Sequence, residues 1–206
     1  VGSEMCIRDR VHDFRNMHIA LGGEGAPLVP EFHNELFYKK NYPRIILNLG
    51  GIANYTYISN KRNLWGSDVG PGNALLDAYC QQFLNKPFDR NGKIASKGQI
   101  VKSELQKLLS NKFFIKSFPK STGKELFNLN MLSSKFIKES PENVLATLTE
   151  FSALCVANAI KKNKHNSKDV IICGGGGNNK FLVNRLSELV KTKVVLSTDL
   201  GYDIQA

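Results

Sequence analysis

Apolar and β-branched residues dominate Arg44 to Leu49, Ile52 to Ser59 and Asn63 to Ser67, partly in alternation with polar ones, a pattern that predicts three short strands. The connections between them, Gly50-Gly51 and Asn60-Lys61-Arg62, are too short for a crossover, so the three are expected as an antiparallel meander. Ala74 to Leu84 then repeats apolar residues at helical spacing, and helices are predicted over Ile100 to Leu109, Asn128 to Lys138 and Pro141 to Lys162. The last opens well, with Ser140 as N-cap, Pro141 at the first helical position and Glu142 in the first turn, and it is long enough to cross a sheet. An apolar strand over Asp169 to Cys173, a helix over Lys180 to Val190 and a strand over Lys193 to Ser197 complete a β-α-β unit. The fold class is therefore α/β: a three-strand antiparallel meander, helices, then β-α-β. Asp13 to His33 is rich in glycine and proline and is expected as an ordered loop without regular structure, pinned by Phe14, Leu28, Val29 and Phe32.

Candidate chemistry gathers where the third strand gives way to the helix beginning near Ala74. Asp68 sits there against Gly70, Pro71, Gly72 and Asn73, and is read as a catalytic base. Gly70 and Gly72 allow a close backbone approach to a ligand, and Asn73 is a good N-cap. The helix start is then expected to offer unpaired N–H groups to an anion. The competing reading is a tight turn with Asp68 as a surface or capping residue. Two further glycine clusters weigh against it, Gly50-Gly51 and Gly174-Gly175-Gly176-Gly177, because each follows an apolar strand and three such turns suggest a nucleotide cradle. The second cluster does not match the spacing of the dinucleotide fingerprint and suits a flat adenine-ribose contact better. Gly22, Gly23 and Gly25 around Glu24 would let backbone N–H groups line a polar ligand, and Arg15 could bind a carboxylate or phosphate bidentately; a linker is the alternative. Pro119-Lys120-Ser121-Thr122-Gly123-Lys124-Glu125 lacks the glycines of a P-loop and is either a surface turn or the polar rim of a site. Asp199 is expected to cap the turn that follows the last strand.

Composition narrows the classes. At 206 residues with 42% hydrophobic content the chain can bury a real core. No uninterrupted apolar run approaches the roughly 20 residues of a membrane span, and the first ten residues lack the apolar centre of a signal peptide, so a cytoplasmic location without membrane contact is expected. The cysteines Cys6, Cys80, Cys155 and Cys173 fall singly, which argues against disulfides and zinc. A net charge of +10 raises nucleic acid as a partner, but 21 lysines against seven arginines are scattered along the chain with no arginine cluster, which favours a solvated surface.

Taken together, the meander, the helices and the glycine turns at strand ends resemble the ribonuclease H-like lobe of the actin, hexokinase and heat-shock ATPase superfamily. Asp13-Phe14-Arg15, Ala20 to Pro30, Leu47 to Asn54, Asp68 to Asn73, Pro119 to Glu125 and Cys173 to Gly176 closely resemble motifs of the anhydro-N-acetylmuramic acid kinase family. That resemblance implies an enzyme of cell-wall recycling that uses MgATP and water. It opens the anhydro bridge of 1,6-anhydro-N-acetylmuramic acid and yields N-acetylmuramic acid 6-phosphate. Asp68 matches the family's general base, which takes a proton from the attacking water. By motif position Gly174 to Gly177 would face the nucleotide, Gly50, Gly51, Gly70, Gly72 and Asn73 the phosphates, and Arg15 with Gly22, Gly23, Glu24 and Gly25 the sugar. Metal ligands are not identified, and a homodimer is left open for the intact protein. The alternative is a nucleotide-driven binding protein of the actin or chaperone type. The expected organisation is a non-native or disordered extension over 1–10, a substrate-loop and interlobe segment over 11–43, and a second ATPase-type lobe over 44–206. The family's opening phosphate loop and its closing helix are absent from the sequence, so the chain is expected to be a fragment, inactive alone.

Overall fold

The computed structural model describes residues 13–23, 25–60, 63–123, 125–163 and 166–204. Its meander is β1 (Arg44–Leu49), β2 (Ile52–Asn60) and β3 (Asn63–Pro71), paired antiparallel in turn. On the other side of β1 lie β4 (Asp169–Cys173) and β5 (Lys193–Leu196), both parallel to it, so the sheet order is β3-β2-β1-β4-β5. Seven helices accompany it among the described residues: α1 (Phe14–Ala20), α2 (Pro30–Phe37), α3 (Ala74–Leu84), α4 (Lys102–Leu109), α5 (Ser134–Ile137), α6 (Pro141–Asn163) and α7 (Lys180–Leu189).

Alternation along the strands sorts the core into two layers. Ile45, Leu47, Leu49, Ala53, Tyr55, Val170 and Ile172 face Val156 and Ile160 of α6 and Leu182 and Leu186 of α7. On the opposite face Ile46, Ile58, Ile171 and Cys173 pack on Phe37 of α2. With both faces covered, β4 is buried at every position, the expected fate of a parallel strand inside a sheet. A second core forms where α3, α4 and the first half of α6 meet, around Leu75, Tyr79, Leu108, Leu145 and Phe151. By length and composition α6 could cross a membrane, a property not evident from the uninterrupted apolar runs; 72% of that stretch is buried inside the fold, where the helix serves as the central strut. Its start is as expected, with the Asn143 amide donating to Ser140 Oγ at 3.3 Å.

Three expectations need correction. Residues 13–33 are not irregular: α1 and the start of α2 lie within them, because Pro30 takes the first helical position, where its fixed φ and missing N–H suit a helix start. The strand β3 continues through Gly70 and Pro71, which pair with Ala53 and Ile52; the edge position of β3 tolerates a proline that cannot donate to the ladder. Asn128 to Lys138 is not one helix but a 3₁₀ turn at Leu129–Met131 followed by α5, whose N-cap Ser133 accepts from the Phe136 amide at 3.2 Å and restarts the chain. Of the cysteines, Cys80, Cys155 and Cys173 are buried free thiols, and Cys6 lies outside the described residues.

The turn between β1 and β2 is clasped to the start of α3. The amides of Gly72 and Ala74 donate to the Gly51 carbonyl at 2.9 and 3.0 Å, and that of Asn73 to the Gly50 carbonyl at 2.8 Å. A Cβ on Gly72 would lie 2.2 Å from the Gly50 carbonyl oxygen. Gly72→Ala is therefore expected to destabilise the fold by about 1–3 kcal/mol, the usual cost of overpacking a rigid contact. Urea denaturation of the variant beside the parent protein checks it.

Candidate active site

Asp68 stands on β3, 4% exposed, directly opposite Asn54 of β2, which in turn is opposite Asn48 of β1. Paired residues of an antiparallel ladder share a face, so the three side chains form one polar row across the sheet. Val69, the extra residue at a register shift between Ala53 and Asn54, packs on the α6 side of the core, while Asp68, one residue earlier, faces the α2 side.

The carboxylate is held from the outer edge of β3. The Thr122 amide donates to Asp68 Oδ2 at 2.8 Å, and the Ser121 hydroxyl adds a second hydrogen bond. Lys120 fastens that segment to the strand: the Asp68 amide and Ser67 Oγ donate to its carbonyl at 3.0 Å each, and its amide donates to Ser67 Oγ at 2.9 Å. The Lys120 side chain turns inward, 4% exposed, donates to the Phe113 carbonyl at 2.8 Å, and sits 4.1 and 4.4 Å from the ring centres of Phe113 and Phe118. Burial, aided by repulsion from Lys162, lowers its pKa to about 8. The segment from Pro119 is thus more than a surface turn: anchored by the buried Lys120, its half-buried Ser121 and Thr122 clamp the candidate base. Burial raises the Asp68 pKa above the ordinary carboxylate value, and the Thr122 amide, the Ser121 hydroxyl and the Arg15 charge oppose that rise.

Arg15 and the glycine loop arrive on the same face. Arg15 Nη1 donates to the Gly25 carbonyl at 3.0 Å, and the Gly25 amide donates to Nδ1 of His18, a loop-holding residue that sequence patterning does not single out, at 3.1 Å. Gly22 and Gly25 take φ of 86° and 70°, where a side chain would be strained. A Cβ on Gly66, two residues before Asp68, would meet Pro30 and Pro27 at 2.8 and 3.1 Å, so the loop rests on β3 beside the carboxylate. Glu24 lies outside the described residues.

The glycine turns divide. The amides of Gly72, Asn73 and Ala74, expected to be unpaired, are spent on Gly50 and Gly51, and the Asn73 side chain does not cap α3 but donates to the Leu49 carbonyl at 3.4 Å. Gly70 makes its close approach to Cys155 of α6, where a Cβ would lie 2.8 Å away. Gly174 is crossed by Asn48, whose Oδ1 would lie 2.3 Å from an added Cβ; Gly176 abuts Leu49 and Asn73, and Gly177 abuts Ile204. Gly175 alone of this run opens outward: it lines a cavity of about 450 Å³ with Asn73, Asp77, Phe88, Arg90 and Asn178, and an added Cβ would meet nothing within 4 Å. No group of three His, Cys, Asp or Glu side chains converges among the described residues. Asp199 accepts from the Leu196 amide at 3.1 Å and caps its turn as expected.

The sheet order β3-β2-β1-β4-β5, with three antiparallel strands and two parallel ones, is that of a ribonuclease H-like α/β fold, and the candidate site lies at the carboxyl ends of β1 and β4. A solved structure sharing the fold is the activator of the 2-hydroxyisocaproyl-CoA dehydratase from Clostridium difficile with bound ADPNP, with a TM-score of 0.53 at 16% identity over 82% of this chain and 59% of that one. Sequence comparison is more specific: the family model of anhydro-N-acetylmuramic acid kinase matches residues 4–206, and the chain belongs to that family. A curated anhydro-N-acetylmuramic acid kinase of Gamma-proteobacterium EBAC31A08 is 62% identical over 196 residues, 95% of this chain and 54% of the relative. One from Shewanella frigidimarina is 44% identical over 200 residues, again 95% and 54%. The chain spans about half the length of these curated relatives. The family match takes in Glu4 to Arg10, which the pattern of the sequence alone sets apart from the family.

Because its folded-state pKa is raised, Asp68 favours folding when protonated and costs stability once pH rises through that pKa. Asp68→Asn keeps the shape and an acceptor for the Thr122 amide without the buried charge. It is expected to unfold at higher temperature than the parent at neutral pH, with the gap closing on acidification; thermal melts across pH check this.

Proposed function

We propose that the intact protein is an ATP-dependent kinase of 1,6-anhydro-N-acetylmuramic acid, serving cell-wall recycling in the cytoplasm. The observation that carries this is Asp68: in a chain of this family, one desolvated carboxylate is held by the Thr122 amide and the Ser121 hydroxyl beside an arginine-anchored glycine loop. Asp68 takes a proton from water as that water attacks the anomeric carbon, and burial helps by moving its pKa toward the operating pH. A sugar-binding role for Arg15, Gly22, Gly23, Glu24 and Gly25 is supported by the packing of their loop on Gly66, two residues before Asp68.

Residues at the carboxyl end of β4 fit a nucleotide. The cavity beside Gly175 falls within the roughly 300–1,000 Å³ of small-molecule sites, and the glycine leaves open the space a side chain would fill. Gly174 to Gly177 with Asn73 shape this wall, whereas Gly50, Gly51, Gly70 and Gly72 support it from behind through the clasp and the packing on α6. ATP bound there would supply the γ-phosphoryl group that the freed bridge oxygen accepts, and Mg²⁺ brought in with it would offset the charge of the phosphates.

In the intact protein Asp68→Asn is expected to lower sugar-dependent ADP release by at least about a hundredfold. The parent enzyme should lose kcat/KM on the acid side through a pKa above the ordinary carboxylate value, since protonation removes the base. A coupled ADP assay over a pH series tests both; near-normal turnover of the variant, or an acid limb at the ordinary carboxylate position, would overturn the assignment.

A further inference from the structure

Among the described residues the buried side-chain atoms without a hydrogen-bond partner include Asn54 Oδ1. Arg44 Nε, Ser167 Oγ and Asp169 Oδ1 also lack partners, but they belong to the amino-terminal ends of β1 and β4, around the Arg44–Asp169 ion pair. Asn54 is different in position: it is the residue paired with Asp68 across β2 and β3, on the face that carries the site. A buried carbonyl oxygen without a donor is costly, and a native fold tolerates one where something else is to fill it.

A water attacking carbon needs two acceptors. One proton leaves to the base, while the other stays on the oxygen and must be held so that a lone pair points at the carbon. Asp68 provides the first acceptor. Within the described residues its cross-strand neighbour provides an unused second, at the short side-chain separation of paired strands.

We propose that Asn54 is a further catalytic residue, whose Oδ1 accepts the retained proton of the attacking water and aims its lone pair; this rests on the kinase reading above. In the step, the water oxygen bonds to the anomeric carbon and the bond from that carbon to the bridge oxygen breaks, its electron pair going to the bridge oxygen. One water proton passes to Asp68, and the other remains on the new anomeric hydroxyl, hydrogen-bonded to Asn54. The bridge oxygen takes the γ-phosphoryl group of ATP, and ADP leaves.

Methanol discriminates this role from a structural one, because it carries only one transferable proton and needs Asp68 but no second acceptor. The intact enzyme, Asn54→Ala and Asn54→Asp are assayed with anhydro-sugar and MgATP in water containing methanol, measuring reducing sugar phosphate against methyl glycoside phosphate. In Asn54→Ala water-dependent turnover is expected to fall on the order of tenfold, as loss of one hydrogen bond allows, while the methyl glycoside share rises. Asn54→Asp retains shape and acceptor and should keep the parent's product ratio, with the acid limb moved to higher pH by a second carboxylate beside Asp68. If Asn54→Ala slows both products in proportion or neither, or Asn54→Asp loses the ratio, the role is refuted. Two controls separate the levels: a parent that forms no sugar phosphate overturns the kinase reading, and Asp68→Asn is expected to lose activity on both nucleophiles, whereas its full activity would overturn the base on which the Asn54 role depends.

Discussion

The pairing of Asn48 with Asn54 and of Asn54 with Asp68 places three polar side chains in line across adjacent strands, about 4.8 Å from one strand to the next. At its far end the row meets Gly174, which lies under Asn48 because nothing larger than hydrogen fits there. The line therefore runs from the candidate base to the glycine turn beside the cavity of about 450 Å³, and its length is set by strand spacing. Slipping β3 by one residue would send Asp68 to the α6 face and bring an apolar residue to the site, and slipping β2 would do the same to Asn54. Apolar burial on both faces, with Ile46 and Ile58 on one side and Leu47, Tyr55 and Val69 on the other, is what forbids that slip.

Two buried charges with opposite tendencies flank the edge of β3. Asp68 is pushed toward protonation and Lys120 toward neutrality by the same desolvation, and they are tied through backbone. Lys120 spends its ammonium on the Phe113 carbonyl and aromatic rings, which makes it an anchor for the clamp and leaves Asp68 to face the site. An ion pair between the two would have lowered the carboxylate's pKa and made a poorer base.

Much of this was legible in the chain itself. The meander, the long α6 and the β-α-β unit follow from local pattern, and so does the place of Asp68 near the end of an extended run before a helix, since alternation, helical spacing and a glycine turn report short-range preference. Membership of the kinase family follows from whole motifs, Leu47 to Asn54 and Asp68 to Asn73 among them.

Tertiary structure decided the rest, because it depends on contacts between residues far apart in sequence. Glycine clusters look alike in a string of letters, yet Gly72 is consumed by the Gly50 carbonyl, Gly70 by Cys155 and Gly177 by Ile204, while Gly175 faces the cavity. Thr122 reaches Asp68 across 54 positions, and Pro27 and Pro30 reach Gly66 across more than thirty. Periodicity cannot signal such meetings. Whether Pro30 ends a loop or begins α2 also depended on whether Phe37 and His33 found buried sites, which the sheet face supplied. Local chemistry chose the elements and the carboxylate; strand register and packing chose its neighbours, and those neighbours give the carboxylate its chemistry.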